Sequence, residues 1–197
     1  MFLIMLIISF FIGAIPFGYI VVKVKMGIDI REEGSGNIGS TNVKRVAGRK
    51  IAALVQFLDI TKSLIPVLLA LIFFGQDNVV KVCFISMASV LGHIYSPFLG
   101  FKGGKGVNSL LGSFFLLCPL PVLISVMVHI VLKKVTKIVA IRSIILSLVI
   151  PLMAWLLGYN KCIVFSSLFT AVIIIFAHRT NIKEIFDIHS IDKKDNK

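Results

Sequence analysis

The sequence predicts an all-α integral membrane protein. We expect a polytopic helical bundle of about seven transmembrane helices, two of them short, with a polar active site at the cytoplasmic face. Three observations predict this. The chain is 57% hydrophobic and 15% charged, where soluble domains run near half apolar and about a quarter charged. Apolar runs long enough to cross a hydrocarbon core of about 30 Å recur along it. The formal charge of +12 is concentrated in the segments between those runs. One membrane domain over residues 1–186 is expected, followed by a flexible polar tail at 187–197.

The first apolar run covers residues 1–22 and is mildly interrupted by Gly13 and Pro16. It has no basic leader and no small-residue cleavage site, so it reads as a retained span. A polar loop is expected over residues 23–50. Further apolar runs cover residues 51–74 and 79–99, with "GQDN" as the turn between them. The run at 107–132 carries "CPLP" in its middle. Proline removes a helix donor and clashes with the preceding turn. Two short helices forming a hairpin near Pro119 and Pro121 are therefore expected in place of one span. "KKVTK" precedes the run at 138–157, "GYNK" turns the chain, and the last run covers 161–177. The remaining "HRTNIKEIFDIHSIDKKDNK" reads as a short amphipathic helix and a polar terminus.

Charge placement supports the two-helix reading. The first loop holds Lys23, Lys25, Arg31, Lys44, Arg45, Arg49 and Lys50, and "FKGGKG" holds Lys102 and Lys105, whereas the turns at 75–78 and 158–160 hold no Lys or Arg. The excess of cations on cytoplasmic loops places both basic loops inside and the N-terminus outside. A hairpin at 107–132 then also puts Lys133, Lys134, Lys137 and the C-terminus inside. Because the cations are spread over short loops, nucleic acid is not an expected partner. Anionic lipid surfaces are. Cys83, Cys118 and Cys162 lie far apart in apolar runs, with no pairing pattern and no metal-ligand spacing. They read as small buried hydrophobes, and no metal is expected.

Two glycine-rich segments carry the chemistry. Gly34, Gly36 and Gly39 match the spacing of a dinucleotide fingerprint, but that motif has meaning only inside a βαβ unit. "GFKGGKG" lacks the spacing and the terminal hydroxyl of a Walker A loop. The physics behind both motifs still applies. Glycine lets backbone amides approach an anion closely, and helix N-termini carry partial positive charge. Gly103, Gly104 and Gly106, flanked by Lys102 and Lys105, suit a phosphate. Arg45 can grip a phosphate or carboxylate with two parallel bonds, and Ser35, Asn37, Thr41 and Asn42 offer neutral donors. The bland alternative is a pair of basic loops touching lipid headgroups. Asp59 and Lys62 stand three apart in an apolar run, as a local ion pair or a functional charge. Of His93, His129 and His178, the last is distinguished by Arg179 and Asn181 beside it.

"GSGNIGSTNVKR", "GHIYSPFLGFKGGKGV" and "HRTNIK" occur in the order and spacing of three family motifs. By them the chain resembles the bacterial acyl-phosphate:glycerol-3-phosphate acyltransferases, the PlsY family, from Ile12 to about Phe186. The resemblance implies an enzyme of the bacterial cytoplasmic membrane that moves a fatty acyl group from acyl phosphate to the sn-1 hydroxyl of glycerol 3-phosphate. The products are lysophosphatidic acid and phosphate, in the first step of phospholipid biosynthesis, and no metal or other cofactor is used. It implies catalytic roles for Ser35, Arg45, His178 and Asn181. Substrate-binding roles fall on Gly36, Asn37, Thr41, Asn42, His93, Lys102, Gly103, Gly104, Lys105, Gly106 and Ser109.

Members usually end the third motif in Gly-Thr-Glu, where this chain has Ile188, His189 and Ser190. They usually have Ala at 40 and 108, Thr at 109 and Gly at 63, where it has Ser40, Asn108, Ser109 and Ser63. These departures leave a divergent, inactive paralogue acting as a binding partner as one alternative. A transporter of a phosphorylated small molecule is another, since it too needs a cationic, glycine-rich site at a membrane.

Overall fold

A chain in lipid must satisfy its backbone internally, and helices do so within one segment. The structure, a computed structural model, describes residues 1–185. Among those residues every regular element is helical. In chain order these are α1 (Phe2–Ala14), α2 (Phe17–Met26), α3 (Ser40–Phe74), α4 (Val79–Ile94), α5 (Val107–Phe115), α6 (Pro119–Leu132), α7 (Val139–Leu156), α8 (Lys161–Ala177) and α9 (Arg179–Ile185).

Four stretches are long and apolar enough to cross a membrane: Phe2–Met26, Ser40–Phe74, Val79–Leu99 and Val139–Leu156. A fifth is α8 with α9, bent by 56° at His178, if that pair counts as one span. The expected seven crossing helices are therefore not established. At 9 and 14 residues, α5 and α6 fall short of the roughly 20 that a bilayer needs. The expected break is present, and it lies just before the prolines. The chain leaves the helix over residues 116–118, and Pro119 opens α6, where its missing N–H would have no partner anyway. The two short helices do not lie chiefly on each other: α5 packs on α3 and α4, and α6 packs on α7.

Two boundaries differ from expectation. Pro16 ends α1 outright, so the first run is two helices. The polar loop is also shorter than residues 23–50. Helix α2 continues to Met26, and α3 already begins at Ser40. Only Gly48, at φ 81°, interrupts that helix. Glycine takes this left-handed conformation without a Cβ clash, so a short basic helix stands at an angle before the long span. The last residue of the expected membrane domain, Phe186, and the tail at 187–197, with Ile188, His189 and Ser190, lie outside the described residues.

Small residues bring α1 and α4 together. A Cβ at Gly13 would strike the Ser89 carbonyl, and one at Gly92 the Phe10 carbonyl. Ser9 Oγ donates to the Ile85 carbonyl at 2.8 Å across the same contact. Close backbone approach of this kind is how helices associate where lipid is as apolar as the partner. The main core includes Val82, Ile85, Leu110, Phe114, Ile150 and Ile174. A second core of Val22, Ile30, Ile38, Val43, Val55 and Leu99 sits under the first loop. Leu3, Phe57, Ile72, Trp155 and Phe165 are exposed on the outer surface, as lipid-facing side chains are. Cys83 and Cys118 are buried, Cys162 is half-buried, and none is paired.

Candidate active site

The three motifs meet at one end of the bundle. Asn108 Nδ2 donates to Ser40 Oγ at 3.2 Å, joining the second motif to the first. Lys105 Nζ donates to Asn181 Oδ1, joining the second to the third. Asn181 Nδ2 in turn donates to Glu184 Oε2 at 3.2 Å.

The loop at residues 27–39 is tied down from within. Asn42, buried at the start of α3, donates to the carbonyls of Glu33 at 2.9 Å and Ile30 at 3.3 Å. Its Oδ1 accepts the Ser35 N–H at 2.9 Å. A Cβ at Gly34 would collide with that same oxygen. Asn37 Oδ1 accepts the Gly39 N–H at 2.9 Å. Arg31 folds back on Asp29, with Nη2 at 2.6 Å, and its guanidinium lies 4.9 Å above the Tyr19 ring. The Arg31 hydrogen bonds hold the Asp29 carboxyl down at about 2. Asn42 and Asn37 thus shape the loop, while Ser35 and Gly36 are exposed on it and Thr41 and Arg45 are exposed at the start of α3.

The glycine loop at 102–106 is narrower in its capacity than its sequence suggests. The Gly103 N–H donates to the Ile94 carbonyl at 3.0 Å and the Gly104 N–H to the His93 carbonyl at 3.1 Å. Those two amides are taken. Among the described residues, the amides of Lys105, Gly106, Val107 and Asn108 have no backbone acceptor. They form the end of the loop and the first turn of α5, a concentration of donors suited to an anion. Lys102 is exposed, Lys105 is half-buried, and Ser109 is fully buried with a hydroxyl that has no partner among the described residues. Just upstream, Phe101 holds a left-handed φ of 62°, a strained setting for a bulky residue.

Burial pushes the Lys105 ammonium below its ordinary value; the Glu184 carboxylate opposes this and the Arg45 guanidinium adds to it. Arg45, Glu184 and Lys105 therefore share one electrostatic neighbourhood. His178 lies within reach of the Lys105 charge. Its Nδ1 is 2.8 Å from the Ile174 carbonyl. A carbonyl only accepts, so Nδ1 carries the hydrogen and Nε2 is left as the basic nitrogen. His93 is placed differently from the other candidates. It is 4% exposed, and its ring lies behind Gly104. Glu184 was not among the sequence candidates. Its position three residues after Asn181 on a helix is the signal that points to it.

The model of the glycerol-3-phosphate acyltransferase family matches residues 3–188. The chain belongs to the glycerol-3-phosphate acyltransferase family. It is 43% identical over 185 residues to the glycerol-3-phosphate acyltransferase of Clostridium acetobutylicum, covering 91% of this chain and 93% of that one. With the enzyme of Aquifex aeolicus it shares 40% identity over 183 residues, covering 93% and 94%. Two crystal structures of PlsY (YgiH), an integral membrane glycerol 3-phosphate acyltransferase, superpose on it. The glycerol 3-phosphate form does so with a TM-score of 0.89 at 39% identity, and the lysophosphatidic acid form with 0.88 at 38%. Each covers 94% of this chain and 92% of its own. The helical membrane fold agrees with the reading of the apolar runs, and the acyltransferase family with the resemblance of the three motifs.

Proposed function

We propose that this protein transfers a fatty acyl group from acyl phosphate to the sn-1 hydroxyl of glycerol 3-phosphate, releasing lysophosphatidic acid and inorganic phosphate. The observation that carries the reading is the junction at Lys105. It places two cations, a set of uncommitted amides and a basic imidazole nitrogen in one neighbourhood. Two phosphate groups must meet during this reaction, and the site offers donors for both.

An acyl phosphate is a mixed anhydride, so its carbonyl is already activated. Holding the acceptor hydroxyl at attack distance can supply about 7–11 kcal/mol. The hydroxyl oxygen forms a bond to the carbonyl carbon. The bond from that carbon to the phosphate oxygen then breaks, and phosphate leaves with the electron pair. Arg45 grips the phosphate of glycerol 3-phosphate. Lys105 and the amides at the start of α5 take charge on the departing phosphate or the carbonyl oxygen. Ser35 acts as a donor in a direct transfer with no acyl-enzyme. His178 Nε2 takes the hydroxyl proton, and the substrate's own phosphate is the competing base.

An apolar cleft of about 890 Å³ between α1, α4 and α8 suits the acyl chain. Its lining includes Phe10, Phe11, Met87, Leu91 and Phe169, and Leu91 lies two residues before His93 on α4. We place the protein in the bacterial cytoplasmic membrane with its N-terminus outside and its C-terminus inside. A cysteine introduced at Lys134 in a Cys-free protein should then be labelled only from the cytoplasmic side.

Purified protein given palmitoyl phosphate and labelled glycerol 3-phosphate should form labelled lysophosphatidic acid. Comparable activity with palmitoyl-CoA would overturn the donor assignment. Passage of unmodified glycerol 3-phosphate into liposomes, with no product, would favour a transporter. Binding without turnover would favour an inactive relative.

A further inference from the structure

A buried charged cluster lies behind the glycine loop, and no chemical step above uses it. Asp59 and Lys62 are 2% and 4% exposed on α3, and Lys62 Nζ is 2.8 Å from Asp59 Oδ1. Burying such charges in a membrane segment is costly. Replacing a buried ion pair by apolar residues of similar volume is often neutral or stabilising, so packing alone gives no reason for the pair. Its contacts give one. Lys62 Nζ donates at 2.6 Å to the Ile15 carbonyl, at the proline break between α1 and α2. On the other side, Asp59 Oδ1 is 3.7 Å from His93 Nδ1. That distance is too long for a hydrogen bond, and neither atom has a well-aligned hydrogen-bond partner among the described residues. The contact is therefore one of charge with ring dipole. It favours the tautomer with the hydrogen on Nδ1 and a bare Nε2. That Nε2 lies against Gly104, where even a methyl group would collide with it. The His93 carbonyl also holds the Gly104 N–H, and the next carbonyl holds that of Gly103.

The contacts form one chain: Ile15 carbonyl, Lys62, Asp59, His93, Gly104. We propose that Asp59, Lys62 and His93 are positioning residues that fix the glycine loop against α3 and the α1–α2 break. The proposal rests on the reading of that loop and the start of α5 as a phosphate seat. Apolar residues in place of the pair would fill the space but would not set the loop's height, because they make no directional contact with Ile15 or His93.

The test compares wild type with Asp59→Asn/Lys62→Met and with His93→Gln. Three quantities are measured: thermal midpoint in detergent, amide exchange at Gly103 and Gly104, and kinetics with glycerol 3-phosphate. The double variant leaves no lone buried charge, so its midpoint should stay near wild type, while Lys62→Met alone should lose more. Exchange at the two glycines should nevertheless rise at least about tenfold in both the double variant and His93→Gln. kcat/KM should fall about 100-fold, the effect of a displacement near 1 Å. Wild-type exchange in the double variant overturns the proposal, whatever its activity. So does wild-type exchange in His93→Gln, which decides the matter if the double variant does not fold. Absence of turnover in the wild type would sink the proposed function alone, since exchange is read without substrate.

Discussion

Lys105→Met probes the junction of the three motifs most directly. Lys105 touches Asn181 and lies in the field of Arg45 and Glu184. Methionine keeps most of the stem and removes the ammonium. A hydrogen bond to a charged group is worth about 1.5–3 kcal/mol, and each 1.4 kcal/mol is tenfold, so loss of this donor to the departing phosphate or carbonyl oxygen should lower kcat roughly 10- to 100-fold. The pH dependence adds a second reading. Burial sets the Lys105 value below the ordinary 10.5, so in the empty protein the cation is lost before that pH is reached. kcat/KM reports the free enzyme, and its alkaline limb should fall through this lowered value. A bound phosphate favours the charged form, so the limb in kcat should lie at higher pH. Lys105→Arg keeps its charge throughout and should move the kcat/KM limb upward. The assay is lysophosphatidic acid formation at saturating palmitoyl phosphate across about pH 6 to 10, around the imidazole and ammonium ranges. An unchanged kcat in Lys105→Met, or an unmoved limb in Lys105→Arg, would refute the assignment.

Arg45→Ala should chiefly raise KM for glycerol 3-phosphate in steady-state assays, and Arg45→Lys should restore little of it, because a point charge does not reproduce the planar fork. His178→Asn should lower kcat more than it raises KM and flatten the pH profile in the imidazole range; a profile of unchanged shape would assign the proton to the substrate phosphate. Ser35→Ala should cost roughly 100- to 1,000-fold in kcat, the loss expected for an oxyanion donor, and mass spectrometry during turnover should find no acyl ester on Ser35. Asn42→Ala removes the acceptor of the Ser35 N–H and the side-chain donor to the Glu33 and Ile30 carbonyls, which keep only the Gly36 and Glu33 N–H groups; with these three ties lost, hydrogen exchange should rise across residues 30–39.

The helical membrane class was determined by the sequence alone, because hydropathy and charge act locally and the bilayer imposes one length scale. So was the break before Pro119, since proline constrains its own turn whatever packs around it. The motif residues were also visible, through their resemblance to a family. Other features were settled only in three dimensions. Gly48 turns a helix that the polar residues at 40–50 had suggested was loop, because the second core under Val43 and Val55 holds both arms. Glycine at 103 and 104 announces backbone freedom, but not which amides are spent; the carbonyls of His93 and Ile94 decide that. Asp59 and Lys62 read in sequence as a local ion pair or a functional charge. Their link to Ile15 and His93 needs α1, α3 and α4 packed together. Ser40 with Asn108, and Lys105 with Asn181, are pairs separated by 68 and 76 residues. Local pattern carries no information about contacts at that separation. They exist only once the bundle has closed and brought the ends of α3, α5 and α8 to one face.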